Sequence, residues 1–212
     1  MEIYQDHYIP ENLDLLLVHP TLDFNIDLDA LMSRKVEEDI AISNSPPPGI
    51  GYLLAIAKEN NIKTEFVDMV TAKVTPDQLM DYISKSTPTL IGFTALTVQI
   101  KSAGFLAEKI KNHFPEILLC AGGMHATAMP KETLDEFGAL DFVVCGEGEL
   151  VILEIFKNLA KNLPLDPIPG VATREKPNPG EQQIKNLDDL PFPAWEEMDL
   201  SKFNGIFPHR TK

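Results

Sequence analysis

The chain has 212 residues, 44% of them hydrophobic, enough for one packed domain with an appendage and too apolar for a disordered chain. Its 32 acidic and 18 basic side chains give a net charge of -14, which favours solubility and repels phosphate backbones, so nucleic acid is excluded as a partner. Two cysteines, Cys120 and Cys145, are too few for a disulfide framework; each closes an apolar run and reads as a reduced, packed thiol. No Cys/His cluster points to zinc, and no site residue is assigned to a metal. The polar start MEIYQDHYIPENL is unlike a secretory leader, and no apolar run approaches the roughly 20 residues of a membrane span, which implies a cytoplasmic protein.

Short β-rich runs alternate with amphipathic stretches along the chain. LDLLLV (13–18) is a continuous apolar run, as expected of a strand buried on both faces. A long insert, HPTLDFNIDLDALMSRKVEEDIAISNSPPPG, follows it and leaves room for a short helix near 27–38. Its length far exceeds the usual two to six residues of such a loop, which points to function. Pro46 to Pro48 stiffen its end, and Gly49 opens a helix, GIGYLLAIAKENN, that stops at Asn-Asn.

KTEFVDM (63–69) reads as the second strand. TPDQLMDYISKS then opens with a capping box, in which Thr75 caps, Pro76 takes the first helical position and Gln78 reaches back. TLIGFTAL (89–96) is the third strand, followed by a helix with Ala103, Leu106, Ile110 and Phe114 at helical spacing. ILLCAGG (117–123) is the fourth, followed by a helix in MPKETLDEFG with Pro130 near its start and Gly138 as its stop. DFVVCG (141–146) is the fifth, and beyond GEGE the stripe Ile152, Ile155, Phe156 and Leu159 marks the last helix.

Strand–helix repeated five times predicts an α/β fold: a doubly wound, five-stranded parallel sheet of flavodoxin-like order 2-1-3-4-5. A Rossmann arrangement ranks second, because no GxGxxG follows the first strand. Ligands of such sheets sit beyond the carboxyl ends of the strands. The loops at those ends are the long insert, TALT, GGMHATAMP and GEGE, all on one edge. From about residue 164 the chain becomes rich in Pro, Asp and Glu. GVATR and QQIKNL are expected to form a small hairpin around KPNPG, followed by an extended linker anchored by Phe192 and Trp195. The expected division is therefore 1–163 for the α/β domain and 164–212 for hairpin and linker.

PPPGIGYLLAIAKENNIKTEFVDM, IGFTALT, AGGMHATAMPKETL, DFVVCGEGE, IPGVATR and LPFPAWEEMDL occur in one order. Together they resemble the N-terminal cobalamin-binding domain of cobalamin-dependent radical S-adenosylmethionine enzymes, the class that includes the magnesium-protoporphyrin cyclase type. The likeness runs from about residue 13 to 200. It implies cobalamin at the carboxyl edge of the sheet and a following barrel that holds S-adenosylmethionine and a 4Fe-4S cluster on a CxxxCxxC motif. That motif is absent here, so the resemblance implies a fragment that supplies cofactor binding and is not catalytic alone, its parent being a methyltransferase or cyclase. The DxHxxG of classical methylcobalamin modules is also missing, since HPTLDFN stands in its place. This implies cobalamin held base-off without that histidine.

The residues singled out keep two readings each. Gly122 and Gly123 make either a strand-to-loop turn or room for the nucleotide tail of cobalamin. Met124 and His125 follow on the same loop; His125 either bonds a ligand amide or phosphate or orders the loop, and is not assigned to cobalt. In TALT, the resemblance places Thr94 against the benzimidazole tail and Leu96 in its slot, with Ala95 between them. Thr97 either joins them or caps the next helix. Gly146 and Glu147 either touch the corrin amides or, with Glu149, only complement a helix dipole. Two rival functions stand beside cobalamin binding: a flavodoxin-like interaction scaffold that no longer binds it, and a nucleotide- or flavin-binding module.

Overall fold

The computed structural model describes residues 9–22, 46–180 and 183–203. The helix expected near 27–38 lies outside these residues. Five parallel strands, β1 (Leu15–His19), β2 (Thr64–Asp68), β3 (Leu90–Thr94), β4 (Leu118–Gly122) and β5 (Phe142–Val144), alternate with helices α1 (Pro48–Glu59), α2 (Pro76–Ser86) and α3 (Ile100–His113). Beyond β4 stand α4 (Met124–Ala128) and α5 (Pro130–Glu136), and beyond β5 stands α6 (Gly148–Ala160). The order is β2-β1-β3-β4-β5, as expected, with one addition: Val171–Ala172 forms β6, paired antiparallel with β5.

That addition corrects the hairpin. GVATR pairs with β5 through Val143↔Ala172 and Val144↔Val171, and no strand forms over 183–187. The chain turns at Gly170, whose φ is +88°, and its carbonyl accepts the Cys145 N–H at 2.8 Å, so the open edge of β5 is the nearest partner. Arg174 then anchors the strand by donating to the carbonyls of Leu140 at 2.9 Å and Leu134 at 3.0 Å. α4 was also unforeseen, a single short helix inside the GGMHATAMP loop.

Strand residues alternate between two cores, as a pleated sheet requires. Leu16, Val18, Ile91, Phe93, Leu119, Ala121 and Val143 face α2, α3 and α5. Leu15, Leu17, Leu90, Cys120 and Phe142 face α1 and α6. The helices form for local reasons. At α2 the Thr75 hydroxyl accepts the Gln78 N–H while Gln78 Oε1 accepts the Thr75 N–H, the expected reciprocal cap. At α1 Pro48 occupies the first turn, where its missing N–H costs nothing.

The linker does not leave the domain at once. The Ala194 N–H donates to Gly51 O at 3.0 Å, and Ala194 and Met198 are buried in the α1/α6 core. Residues 193–198 thus lie as a strap along α1. Of the two expected anchors, Trp195 packs against this core while Phe192 is 95% exposed.

Candidate functional site

A cavity of about 310 Å³ lies between the sheet and the α1/α6 layer. Its floor is made of alternate strand residues: Leu15 and Leu17 of β1, Leu90 and Gly92 of β3, Cys120 of β4. Ile50 and Leu53 of α1 form one wall, and Ile152 and Ile155 of α6 the other. Thr94, Gly122 and Gly123 stand at its carboxyl-edge mouth with Gly146, Glu147 and Glu149. The space is a slot that opens where a doubly wound sheet presents its ligands.

The slot exists because bulk is missing from the floor. Gly92 is buried in the middle of β3, where a glycine weakens a strand and commonly marks close approach by another group. Gly123 is held at φ +94°, and a Cβ there would stand 3.1 Å from Ala95 O. The Ala95 N–H donates to Gly122 O at 3.1 Å, which locks the TALT loop to the glycine pair. Gly146, at φ +77°, donates its N–H to Thr127 Oγ1 at 3.0 Å and ties the GEGE loop to α4.

The ten sequence-predicted residues divide in three. Thr94, Gly122, Gly123, Gly146 and Glu147 line the slot. Leu96, Thr97, Met124 and His125 form an outer rim: Leu96 is 50% and Met124 76% exposed, and His125 Nδ1 lies 3.2 Å from Thr97 Oγ1. Ala95 points the other way, into the α2/α3 core. Thr97 does not cap α3, which starts at Ile100 with Gln99 in the cap position. The floor and walls escaped the sequence reading because leucines and isoleucines that line a slot look like those that fill a core. Gly92 inside an apolar run was the one available signal.

Electrostatics at the mouth are acidic. Burial pushes the Glu149 carboxyl up from its ordinary value, and the neighbouring charge of Glu147 adds to this. Glu147 itself accepts the Ile184 N–H, which draws the C-terminal segment to the mouth. Cys120 on the floor is raised to about 12, first by burial and then by Asp141, so it stays a neutral thiol.

A polar cluster caps β1 beside the slot. Gln99 Nε2 is 2.7 Å from His19 Nε2 and donates to Pro20 O at 2.9 Å. His19 Nδ1 lies 3.3 Å from Asp68 Oδ1, which also accepts the Val70 and Thr71 N–H groups. Both nitrogens of His19 therefore face protein groups. Among the described residues no group of three or more His, Cys, Asp or Glu is placed to hold a metal ion, and no helix is long and apolar enough to cross a membrane.

Comparison with known proteins agrees with this geometry. The family model of the B12 binding domain matches residues 41–156, more than half of the chain. An uncharacterized methyltransferase of Pyrococcus horikoshii is 29% identical over 77% of this chain and 36% of its own length. The anaerobic magnesium-protoporphyrin IX monomethyl ester cyclase of Rubrivivax gelatinosus is 30% identical over 76% of this chain and 30% of its own. The chain thus spans about a third of the length of these relatives. In fold it is similar to the radical S-adenosylmethionine methyltransferase TsrM of Kitasatospora setae, with a TM-score of 0.57 and 19% identity over 75% of this chain and 28% of that one. The chain belongs to the B12-binding domain family and is homologous to the cobalamin-dependent radical S-adenosylmethionine enzymes.

Proposed function

We propose that the slot receives the nucleotide tail of a base-off cobalamin and that the outer rim faces the corrin. The slot carries the reading. It is apolar, it opens at the carboxyl edge, and glycines stand in its floor, at Gly92, and at its mouth, at Gly122, Gly123 and Gly146. At about 310 Å³ it sits at the small end of ligand sites, which run from roughly 300 to 1,000 Å³, so it suits a tail rather than a whole corrinoid. The residues present fit the group.

Thr94 at the mouth offers a hydroxyl to the tail. Gly122 and Gly123 let the backbone approach it, and Gly146 and Glu147 close the other side. Leu96, Met124 and His125 supply exposed apolar surface and one donor beyond the mouth. His19 is not proposed as a cobalt ligand, because Gln99 stands 2.7 Å from its Nε2, Asp68 lies beside its Nδ1 and the DxHxxG spacing is absent. Bound cobalamin supplies a cobalt centre for methyl transfer or redox chemistry. The chain's own part is to bind and orient it for a partner barrel carrying S-adenosylmethionine and a 4Fe-4S cluster, with the segment 164–212 as the lead to that barrel. The whole protein is then a cytoplasmic methyltransferase or cyclase that does not engage nucleic acid.

The test mixes the purified chain with hydroxocobalamin, removes free ligand and records the visible spectrum in several cobalt oxidation states. Retained corrin absorbance with a base-off band shape is expected. No retained absorbance in any state overturns the reading in favour of a scaffold that has lost the cofactor.

A further inference from the structure

We propose that the slot selects among corrinoids by the base that ends their nucleotide tail, accepting an apolar aryl base such as a benzimidazole and rejecting a purine, and that Gly92 sets its usable depth. The inference rests on the cobalamin reading above and adds to it which corrinoid is taken.

The floor runs along β3 from Thr94 at the mouth to Leu90 at the closed end, about 13 Å at the usual rise of a strand. Among the described lining residues, charged and hydroxyl side chains occur only near the open end, where Thr94, Glu147 and Glu149 stand. The deep half is bounded by Leu15, Leu17, Leu90, Ile155 and the neutral thiol of Cys120. The strand backbones beneath are engaged in the parallel ladders of β1, β3 and β4. A base pushed inward therefore meets almost no donor or acceptor.

That environment separates the bases by chemistry. A benzimidazole attached through one nitrogen leaves a single ring acceptor and an apolar six-membered ring. An adenine leaves three ring acceptors and an exocyclic amine, all of which give up water on entering. Polar groups buried without partners weaken binding, and one alone costs about tenfold in affinity.

Gly92 lies midway along the floor. A Cβ built there stands 3.4 Å from Leu17 Cδ2 and 3.5 Å from Cys120 Sγ, which is ordinary van der Waals contact. The fold therefore has room for a Cβ at 92, and the atoms of a larger side chain take up the space above it. Valine is the sharpest probe, since a β-branched residue suits a strand while filling the slot.

The experiment titrates the 212-residue chain with hydroxocobalamin, its adeninyl analogue and cobinamide, which lacks the base, and follows quenching of the single tryptophan, Trp195. Hydroxocobalamin is expected to bind at least about tenfold more tightly than either of the others. Gly92→Val is expected to bring cobalamin to the cobinamide level, leave cobinamide unchanged, and unfold at the same or a higher temperature. Equal affinity for the adeninyl analogue overturns the selectivity, and wild-type cobalamin affinity in Gly92→Val overturns the role of Gly92. The comparison of bases needs no variant, and Gly92→Ala repeats the second arm should valine perturb folding. Failure of all three corrinoids to bind removes the cobalamin reading itself, a result distinct from unselective binding.

Discussion

Asp68 is only 7% exposed and keeps its charge. Burial is the largest influence on it and favours the protonated form. The contact with His19 and the N–H of Thr71 outweigh it, so its carboxyl lies below the ordinary aspartate range. A carboxylate held below its ordinary value stabilises the fold above that value, and the stabilisation is lost as pH falls through the depressed one. Asp68→Asn keeps the shape and removes the charge. At pH 6 the variant is expected to be less stable by about 1.5 kcal/mol, the scale of one charge-assisted hydrogen bond. The gap should close as pH drops below about 4, where the ordinary aspartate value lies. Urea unfolding of both proteins across this range checks it, and a gap unchanged at the acid end would contradict the assignment. The buried Nδ1 of His19, Oδ2 of Asp68 and Oγ1 of Thr21 have no hydrogen-bond partner among the described residues.

At the scale of elements, the strap and α1 depend on the absence of one methyl. A Cβ at Gly51 would stand 2.8 Å from Pro193 Cβ and 3.5 Å from the Trp195 ring. Alanine is better than glycine inside a helix by about 1 kcal/mol, but overpacking costs about 1–3 kcal/mol. Packing is expected to win, so Gly51→Ala lowers stability by about 1 kcal/mol and lifts the strap. Trp195 reports this directly as a red shift of its emission. Lys58 makes exposed ion pairs with Glu196 and Glu197 on the same strap. Lys58→Ala should leave the emission unchanged, because solvent screens such pairs. An unshifted spectrum in Gly51→Ala would mean that the strap is not seated on α1. The legibility of elements follows the same physics. Four of the five parallel strands could be read because each is a short apolar run, β2 (TEFVD) because it is β-rich although half-buried at the sheet edge, and α2 because its cap is written in Thr75 and Gln78. β6 could not, since the two residues Val171 and Ala172 carry no period and their partners are 27 and 29 residues away. The slot was half legible: glycines at its mouth break the pattern of a strand end, whereas Leu15, Leu17 and Ile152 announce nothing but burial.

For the whole molecule, a slot left between sheet and helices is stability forgone. Its walls lack the dispersion contacts that a filled core would supply. A ligand that fills it adds those contacts and binds only the folded chain, so binding must appear as stability. At a free concentration one hundred times its dissociation constant, hydroxocobalamin should add about 2.7 kcal/mol. For a domain of this size each kcal/mol moves the midpoint by about 2–4 °C, which gives a rise of about 5–11 °C. The acidic surface sharpens the expectation. With a net charge of -14 the chain repels the phosphate of any nucleotide tail, so affinity must come from apolar burial rather than attraction. Raising the salt from about 50 to 300 mM screens that repulsion, and the ligand-induced rise should hold or grow. Thermal melts at both salts, with and without ligand, decide the point. A rise that collapsed at the higher salt would show that charge, and not the slot between α1 and α6, holds the cofactor.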